Sequence, residues 1–245
     1  MDGEPTTGGL GQVAAVVAER VGDRVAVHGP GASTIVGIAG GVAAGKSRFA
    51  ADLAAVLAAD HGLDAVIVPS DGFLLPNGEL ERRGLTDRKG FPESYDLEAI
   101  DAFLADVRAG REVLHLPVYD HLLYDVIAER RLVGRAAVVL FEGINVLRFA
   151  DRLDLAIYLQ AAEDDLRRWF VGRVLQLRTE AAGVPDAYLA PVSHWDDDTV
   201  SQFASGVWDA INGPNLVDHI EPTRDAADVV VVKGPDHSVV EVVVR

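Results

Sequence analysis

Eight consecutive residues, Gly40-Gly41-Val42-Ala43-Ala44-Gly45-Lys46-Ser47, carry the spacing G-x-x-x-x-G-K-[ST]. An apolar run, Ile35–Ala39, leads into them and a helical pattern, Ser47–Ala59, leads out. In that setting successive backbone N–H groups converge on a phosphate, and the helix N-terminus adds positive potential. Lys46 reaches the outer phosphates and Ser47 offers an oxygen to Mg²⁺. The chemistry this spacing serves is the binding of a nucleoside triphosphate. Only three lysines occur, Lys46, Lys89 and Lys233, among 22 basic residues, so arginine supplies most of the positive charge. A compact ammonium and a planar guanidinium do different work, and each lysine is therefore a mild pointer to a site.

Two acids stand at the ends of predicted strands. Asp71 follows the apolar Ala65–Val68, and Glu142 follows Val138–Phe141. In a parallel sheet both fall on the carboxyl edge, beside the phosphate loop. Ser70-Asp71-Gly72 is also an ordinary turn composition; beside a phosphate loop, two strand-end acids fit metal-assisted phosphoryl transfer, with Glu142 holding Mg²⁺ directly or through water. The stretch from Pro117 to Asp125 packs Tyr119, His121 and Tyr124 with Asp120 and Asp125. Such polar aromatics can line a pocket for a small hydroxylated ligand, or form a half-buried strand-to-loop segment. Arg167, Arg168, Arg173 and Arg178 lie on a predicted helix: they are a solvated face, or one of them is aimed at the γ-phosphate. Asp196-Asp197-Asp198 before Thr199 reads as a helix N-terminus rather than a metal cluster.

The elements that must position these groups alternate strand and helix. After a helix at Leu10–Val21, a strand at Arg24–Val27 and a turn at His28–Gly31, the pattern is βα repeated. Further strands are predicted at Val113–Leu116, Ala137–Phe141, Leu155–Leu159, Val229–Val232 and Val239–Val244, with helices at Leu97–Ala109, Glu163–Leu177 and Thr199–Ile211. This is an α/β, three-layer pattern: a mostly parallel sheet covered by helices. Residues 1–31 form an N-terminal extension and residues 32–245 one phosphate-loop domain, with long connections over 72–95 and 179–198 of the kind that serve as lids or binding loops. Formal charge is −16, from 38 acids against 22 basic residues, so the long-range field repels nucleic acid and an anionic ligand must be captured locally. No apolar run is long enough to span a bilayer, the first ten residues lack a secretory pattern, and there is no cysteine. Those features predict a cytoplasmic protein without a membrane partner.

The residues resemble the type I, bacterial pantothenate kinases within the phosphoribulokinase/uridine kinase group of P-loop kinases. The resemblance runs from about Ile35 to Arg245. It is carried by Gly37-Ile38-Ala39-Gly40 with Gly45-Lys46-Ser47, Asp71-Gly72-Phe73-Leu74, Lys89-Gly90-Phe91-Pro92-Glu93-Ser94-Tyr95-Asp96, and Pro117-Val118-Tyr119 with His121 and Tyr124-Asp125-Val126. Glu142-Gly143 with Asn145-Val146-Leu147, Ile211-Asn212 with Asn215-Leu216, Pro222-Thr223-Arg224, and Lys233 with His237 complete it.

The resemblance implies an ATP- and Mg²⁺-dependent kinase that phosphorylates the primary hydroxyl of pantothenate, an early step of coenzyme A biosynthesis, and a homodimer. It implies that Asp71 faces the substrate hydroxyl, that Lys46 and Ser47 hold phosphate and Mg²⁺, and that Arg173 approaches the γ-phosphate. By the same resemblance, Tyr119, His121, Tyr124 and Asn212 are expected to line the pantothenate pocket, and Lys233 and His237 to lie near the adenine. Four positions depart from the family. Arg48 stands for Thr among the nucleotide-binding residues, and Phe170 stands for Tyr in the acceptor wall. Leu177 and Ala182 replace wall Phe residues, which reshapes that pocket. A fifth, Ala51, replaces an Arg that contacts the inhibitor coenzyme A. The alternative is a nucleoside or sugar kinase of the same superfamily. A nucleotide-binding switch is disfavoured, since neither N-K-x-D nor L-S-G-G-Q occurs.

Overall fold

The computed structural model describes residues 7–245, so residues 1–6 of the N-terminal extension, including most of the segment read as lacking a secretory pattern, lie outside it. Eight strands are present among these residues: β1 (Thr34–Gly40), β2 (Ala65–Pro69), β3 (Val113–Asp120), β4 (Asp125–Gly134), β5 (Val138–Glu142), β6 (Leu155–Gln160), β7 (Val229–Lys233) and β8 (Val239–Val244). Six form one sheet in the order β2-β5-β1-β6-β7-β8. All its pairings are parallel except β7 with β8. Strands β1 and β5 are buried at every position. Their unbroken apolar runs are what a strand covered on both faces requires.

The main helices are α1 (Thr7–His28), α2 (Lys46–His61), α3 (Asn77–Arg82), α4 (Leu97–Arg108), α5 (Glu163–Ala181) and α6 (Asp197–Val207). Ile100, Phe103, Leu104 and Val107 are buried, so α4 presents one apolar stripe to the core. The Asp196 side chain accepts from the Thr199 N–H at 2.7 Å and caps α6, as expected from the three acids. Beyond Val207 the chain winds into a π-helical turn, Trp208–Asn212, where the sequence pattern runs on as helix.

Two expectations are corrected. Arg24–Val27 is not a strand but the last full turn of α1. Val13, Val17, Val21 and Val25 continue one apolar stripe, and the Arg24 guanidinium approaches Asp154 at 3.4 Å. The helix stops only at Gly29, whose φ of +86° closes it with an N–H bond to Val25 O. Val113–Leu116 is a strand, but it does not join the parallel sheet. It lengthens into β3 and pairs antiparallel with β4, a strand the broken apolar alternation of residues 127–133 conceals. This ribbon stands outside the main sheet and carries the Tyr119–Tyr124 segment at its tip.

Candidate active site

Glu142 ends β5 and is only 5% exposed. It lies in register with Ile38 of β1 on one side and Pro69 of β2 on the other, which centres it on the carboxyl edge of the sheet. The Ser47 hydroxyl donates to Glu142 Oε1 at 2.7 Å. Burial pushes the Glu142 carboxyl upward, against Lys46 and the Ser47 hydrogen bond, which lower it. Gly143 must follow, because a Cβ there would lie 1.8 Å from Ser70 Oγ. The turn bearing Asp71 therefore packs directly on the end of β5. Phe73 fixes that turn from below, with its ring 5.5 Å from Phe103 of α4 and 6.1 Å from Phe141 of β5.

The loop from Gly41 to Gly45 closes over β1 as the spacing predicts. Ala43 holds a left-handed φ of +63°, a strain of about 1–2 kcal/mol for a residue with a Cβ. The Lys46 ammonium donates to the carbonyls of Gly40 and Gly41, at 3.2 and 2.9 Å. Burial draws its pKa below the ordinary lysine value, while Glu142 and Asp71 act to raise it. Asp71 thus stands within electrostatic reach of both Lys46 and Glu142. The Gly40–Ser47 loop, the Ser47–Glu142 hydrogen bond and Asp71 share one corner.

Lys233 and His237 come from the β7–β8 turn and arrive on the opposite flank of the same loop. Lys233 Nζ donates to Ala44 O at 3.3 Å, and a Cβ on Gly45 would lie 3.2 Å from that nitrogen and 3.6 Å from His237 Nδ1. The His237 imidazole stacks on Trp169 at 3.6 Å between centroids. Arg168 and Trp169 both donate to Pro235 O, so α5 holds this turn over the cradle. Burial, then Lys233 and Arg168, keep the His237 pKa low. A flat aromatic shelf beside a phosphate cradle is a place for a nucleobase.

The third group is the aromatic cluster at the tip of the β3–β4 ribbon. Tyr119 meets His121 at 5.2 Å and Tyr124 at 6.2 Å, both edge to face. Tyr124, with φ +55°, stacks on Tyr188 from the 179–198 connection at 4.6 Å. Lys89 joins this cluster, a candidate site residue that sequence reasoning missed although its rarity and its motif flagged it. Its ammonium lies 4.0 Å from the Tyr124 ring and 5.0 Å from the Tyr119 ring, and donates to Asn77 Oδ1 at 2.6 Å and to Tyr124 O. Burial lowers its pKa to about 8, against Asp125 and Asp71. Asp71 also acts on the hydroxyls of Tyr119 and Tyr124, whose pKa values burial raises, that of Tyr124 to about 12. Asp71 therefore acts electrostatically both on Lys46 and Glu142 and on this aromatic cluster.

Not every expected residue converges. Arg173 is exposed and pairs with Glu180 at 3.7 Å. Arg48 points along the outer face of α2 to Asp52, at 2.9 Å. Phe170 packs on Trp208 at 5.9 Å, half-buried, and Asn212 ends the π-helical turn, also half-buried. Three non-glycine residues among those described have positive φ, namely Ala43, Tyr124 and His237. One lies in each of the three groups, and strained backbone of this kind collects at functional sites.

A pantothenate kinase of Sorangium cellulosum is 46% identical over 217 residues, which cover 84% of this chain and 70% of that protein. A pantothenate kinase of Streptomyces coelicolor is 41% identical over 224 residues, covering 85% and 68%. Among solved structures, the D-glycerate 3-kinase of Cryptococcus neoformans superposes over 96% of this chain and 99% of its own with a TM-score of 0.70. Its 15% identity makes that a likeness of fold. Residues 35–173, from β1 through Arg173, match the description "Phosphoribulokinase / Uridine kinase family". The chain belongs to the phosphoribulokinase/uridine kinase family, alongside the pantothenate kinases it is similar to.

Proposed function

We propose that the chain transfers the γ-phosphoryl group of ATP to the primary hydroxyl of pantothenate, giving 4′-phosphopantothenate for coenzyme A synthesis. The observation that carries this is the place of the Asp71 turn, wedged between the end of β5, where a Cβ on Gly143 would lie 1.8 Å from Ser70 Oγ, and β3, where a Cβ on Gly72 would lie 2.5 Å from Pro117 O; from there its charge acts on Lys46 and Glu142 and on Lys89, Tyr119 and Tyr124. A kinase needs one carboxylate that sees both the phosphate and the incoming alcohol. Lys89 adds a cation in the acceptor pocket, which suits a substrate that ends in a carboxylate.

Asp71 orients the alcohol and takes its proton as the new O–P bond forms and the bond from the γ-phosphorus to the bridging oxygen of ADP breaks. Lys46 exchanges the Gly40 and Gly41 carbonyls for phosphate oxygens, and the N–H groups of residues 41–47 hold the same anion. Arg173 is assigned to the γ-phosphate. Its exposed pair with Glu180 is worth only about 0–1 kcal/mol, so giving it up opposes the move weakly. Ser47 and Glu142, a hydroxyl and a carboxylate 2.7 Å apart, are hard oxygen donors that fit Mg²⁺. Bound there with the nucleotide, the ion would supply charge neutralisation on the phosphates. Lys233, His237 and Trp169 receive the adenine. A homodimer working in the cytoplasm completes this reading.

ADP release over a panel of pantothenate, uridine, pentoses and glycerate tests the assignment. Pantothenate is expected to be the clear saturable acceptor. A nucleoside or sugar that outcompetes it would move the substrate to the alternative opened by Leu177 and by Ala182, which is exposed at the end of α5.

A further inference from the structure

Two asparagines of the resembling motifs have no task in the chemistry above. Asn145 follows Glu142-Gly143 by two residues, and Asn215 lies beyond the π-helical turn; they are 5% and 2% exposed. Their side-chain amides donate to one and the same atom, the carbonyl oxygen of Gly90, at 2.9 and 3.1 Å. On the other face of the residue the Gly90 N–H donates to Ser94 Oγ at 2.9 Å, and that hydroxyl donates to Phe91 O at 2.7 Å. Gly90 has φ +90°, a backbone state that glycine enters and leaves readily. Three separate segments therefore immobilise the peptide next to Lys89.

We infer that Asn145 and Asn215 are positioning residues: by clamping the Gly90 carbonyl between them, they set where the Lys89 ammonium stands to receive the anionic end of the acceptor. This rests on the reading that the acceptor carries a carboxylate. The ammonium sits at the end of a flexible four-carbon stem, so its placement depends on the backbone that launches it. Displacements of about 1 Å in such positioning groups can cost as much as about a hundredfold in rate.

The test uses Asn145→Ala, Asn215→Ala, the double variant, and Asn145→Asp, which keeps the side-chain volume should an alanine variant fold poorly. In each single variant KM for pantothenate is expected to rise about tenfold, while KM for ATP and for the carboxylate-free alcohol analogue of pantothenate stays within about twofold. Because both amides serve one oxygen, the double variant should fall well short of the product of the singles. Equal losses for ATP, the analogue and pantothenate would mark a purely structural staple and overturn the inference.

A substrate-independent measurement separates this inference from the proposed function. With ¹³C-labelled lysine the chain gives only three side-chain signals, and that of Lys89 should titrate near 8 in the unaltered protein. Around it stand Asp71, Asp125, Tyr119 and Tyr124, with Tyr188 behind Tyr124. In the clamp variants the titration should move at least a unit toward the ordinary 10.5 as the ammonium escapes to water. If the unaltered chain ignores pantothenate but this shift occurs, the clamp stands and the acceptor assignment falls. If the titration stays put, the clamp inference is wrong whatever the acceptor.

Discussion

At the phosphate end of the cleft, the groups that matter hang from adjacent strand ends of one sheet: the loop after β1, the turn after β2, and Glu142 closing β5. At the acceptor end they come from Asn77, Lys89, the ribbon tip around Tyr119 and Tyr124, and Tyr188, segments that share no sheet. The first region is walled by buried strands and a ring cluster of Phe73, Phe103 and Phe141. In the second, Tyr124 is 39% exposed and Tyr188 56%. Parallel strands side by side bring their carboxyl ends together with no further instruction, whereas the acceptor wall must be assembled by loops that find one another. On the proposed reading the fold gives the chemistry a buried seat and the substrate an exposed one, which is how one kinase architecture can serve many alcohols.

Asp71 joins the two regions, and removing its charge should produce the largest effect. Asp71→Asn keeps the shape of the turn but neither takes a proton nor faces Lys46 and Lys89 with a negative charge. Turnover is expected to fall about 10²–10⁴-fold. ATP binding, followed by fluorescence of the Trp169 shelf, should persist. Near-normal turnover would show that the phosphate end works without the carboxylate, and the contrast between the regions would lose its hinge.

The same contrast explains what could be read in the chain itself. Gly40 to Ser47 declares itself because a phosphate cradle imposes a local backbone path, and Asp71 and Glu142 are legible because each ends a continuous apolar run. The fold class follows from the same runs. Lys89 was visible only as a rarity and as part of a motif, since its partners Asn77, Tyr119 and Tyr124 are assembled in space. Strand β4 hid because half of its residues face water, and the last turn of α1 looked like a strand because Val25 and Val27 alternate with Arg24 and Ala26. The pairing of Arg48 with Asp52 and of Arg173 with Glu180, each on its own helix, is a surface contact that no motif position announces.

The acceptor region should also be the one that responds to pH. Lys89 has its pKa lowered to about 8, so in the free protein its ammonium is charged below that value and lost as pH rises through it. With pantothenate as substrate, kcat/KM should therefore be flat up to about pH 7 and then decline by about tenfold per unit above 8. A bound carboxylate favours the ammonium, so kcat at saturation should hold to higher pH than kcat/KM. The carboxylate-free analogue should lack this decline. A decline shared by both acceptors would place the titrating group at the phosphate end instead.

The smallest expected effect lies at Arg48, and it draws the border of the phosphate region. Its side chain is 82% exposed and its pair with Asp52 is an i,i+4 contact on the outer face of α2. Such a pair is worth about 0.3–0.5 kcal/mol, so Arg48→Ala should change the unfolding midpoint only slightly. KM for ATP should move by no more than about twofold, because the Arg48 side chain runs along the solvent face of α2 to Asp52, one turn further from the Gly40–Gly45 loop. The measurement is sharper than its size suggests, since Arg48 directly follows Lys46-Ser47 in the chain. A tenfold rise in KM for ATP would mean that the anion-binding surface extends around the first turn of α2 onto its solvent face, so that this end of the cleft, like the other, draws on exposed side chains that close on their ligand.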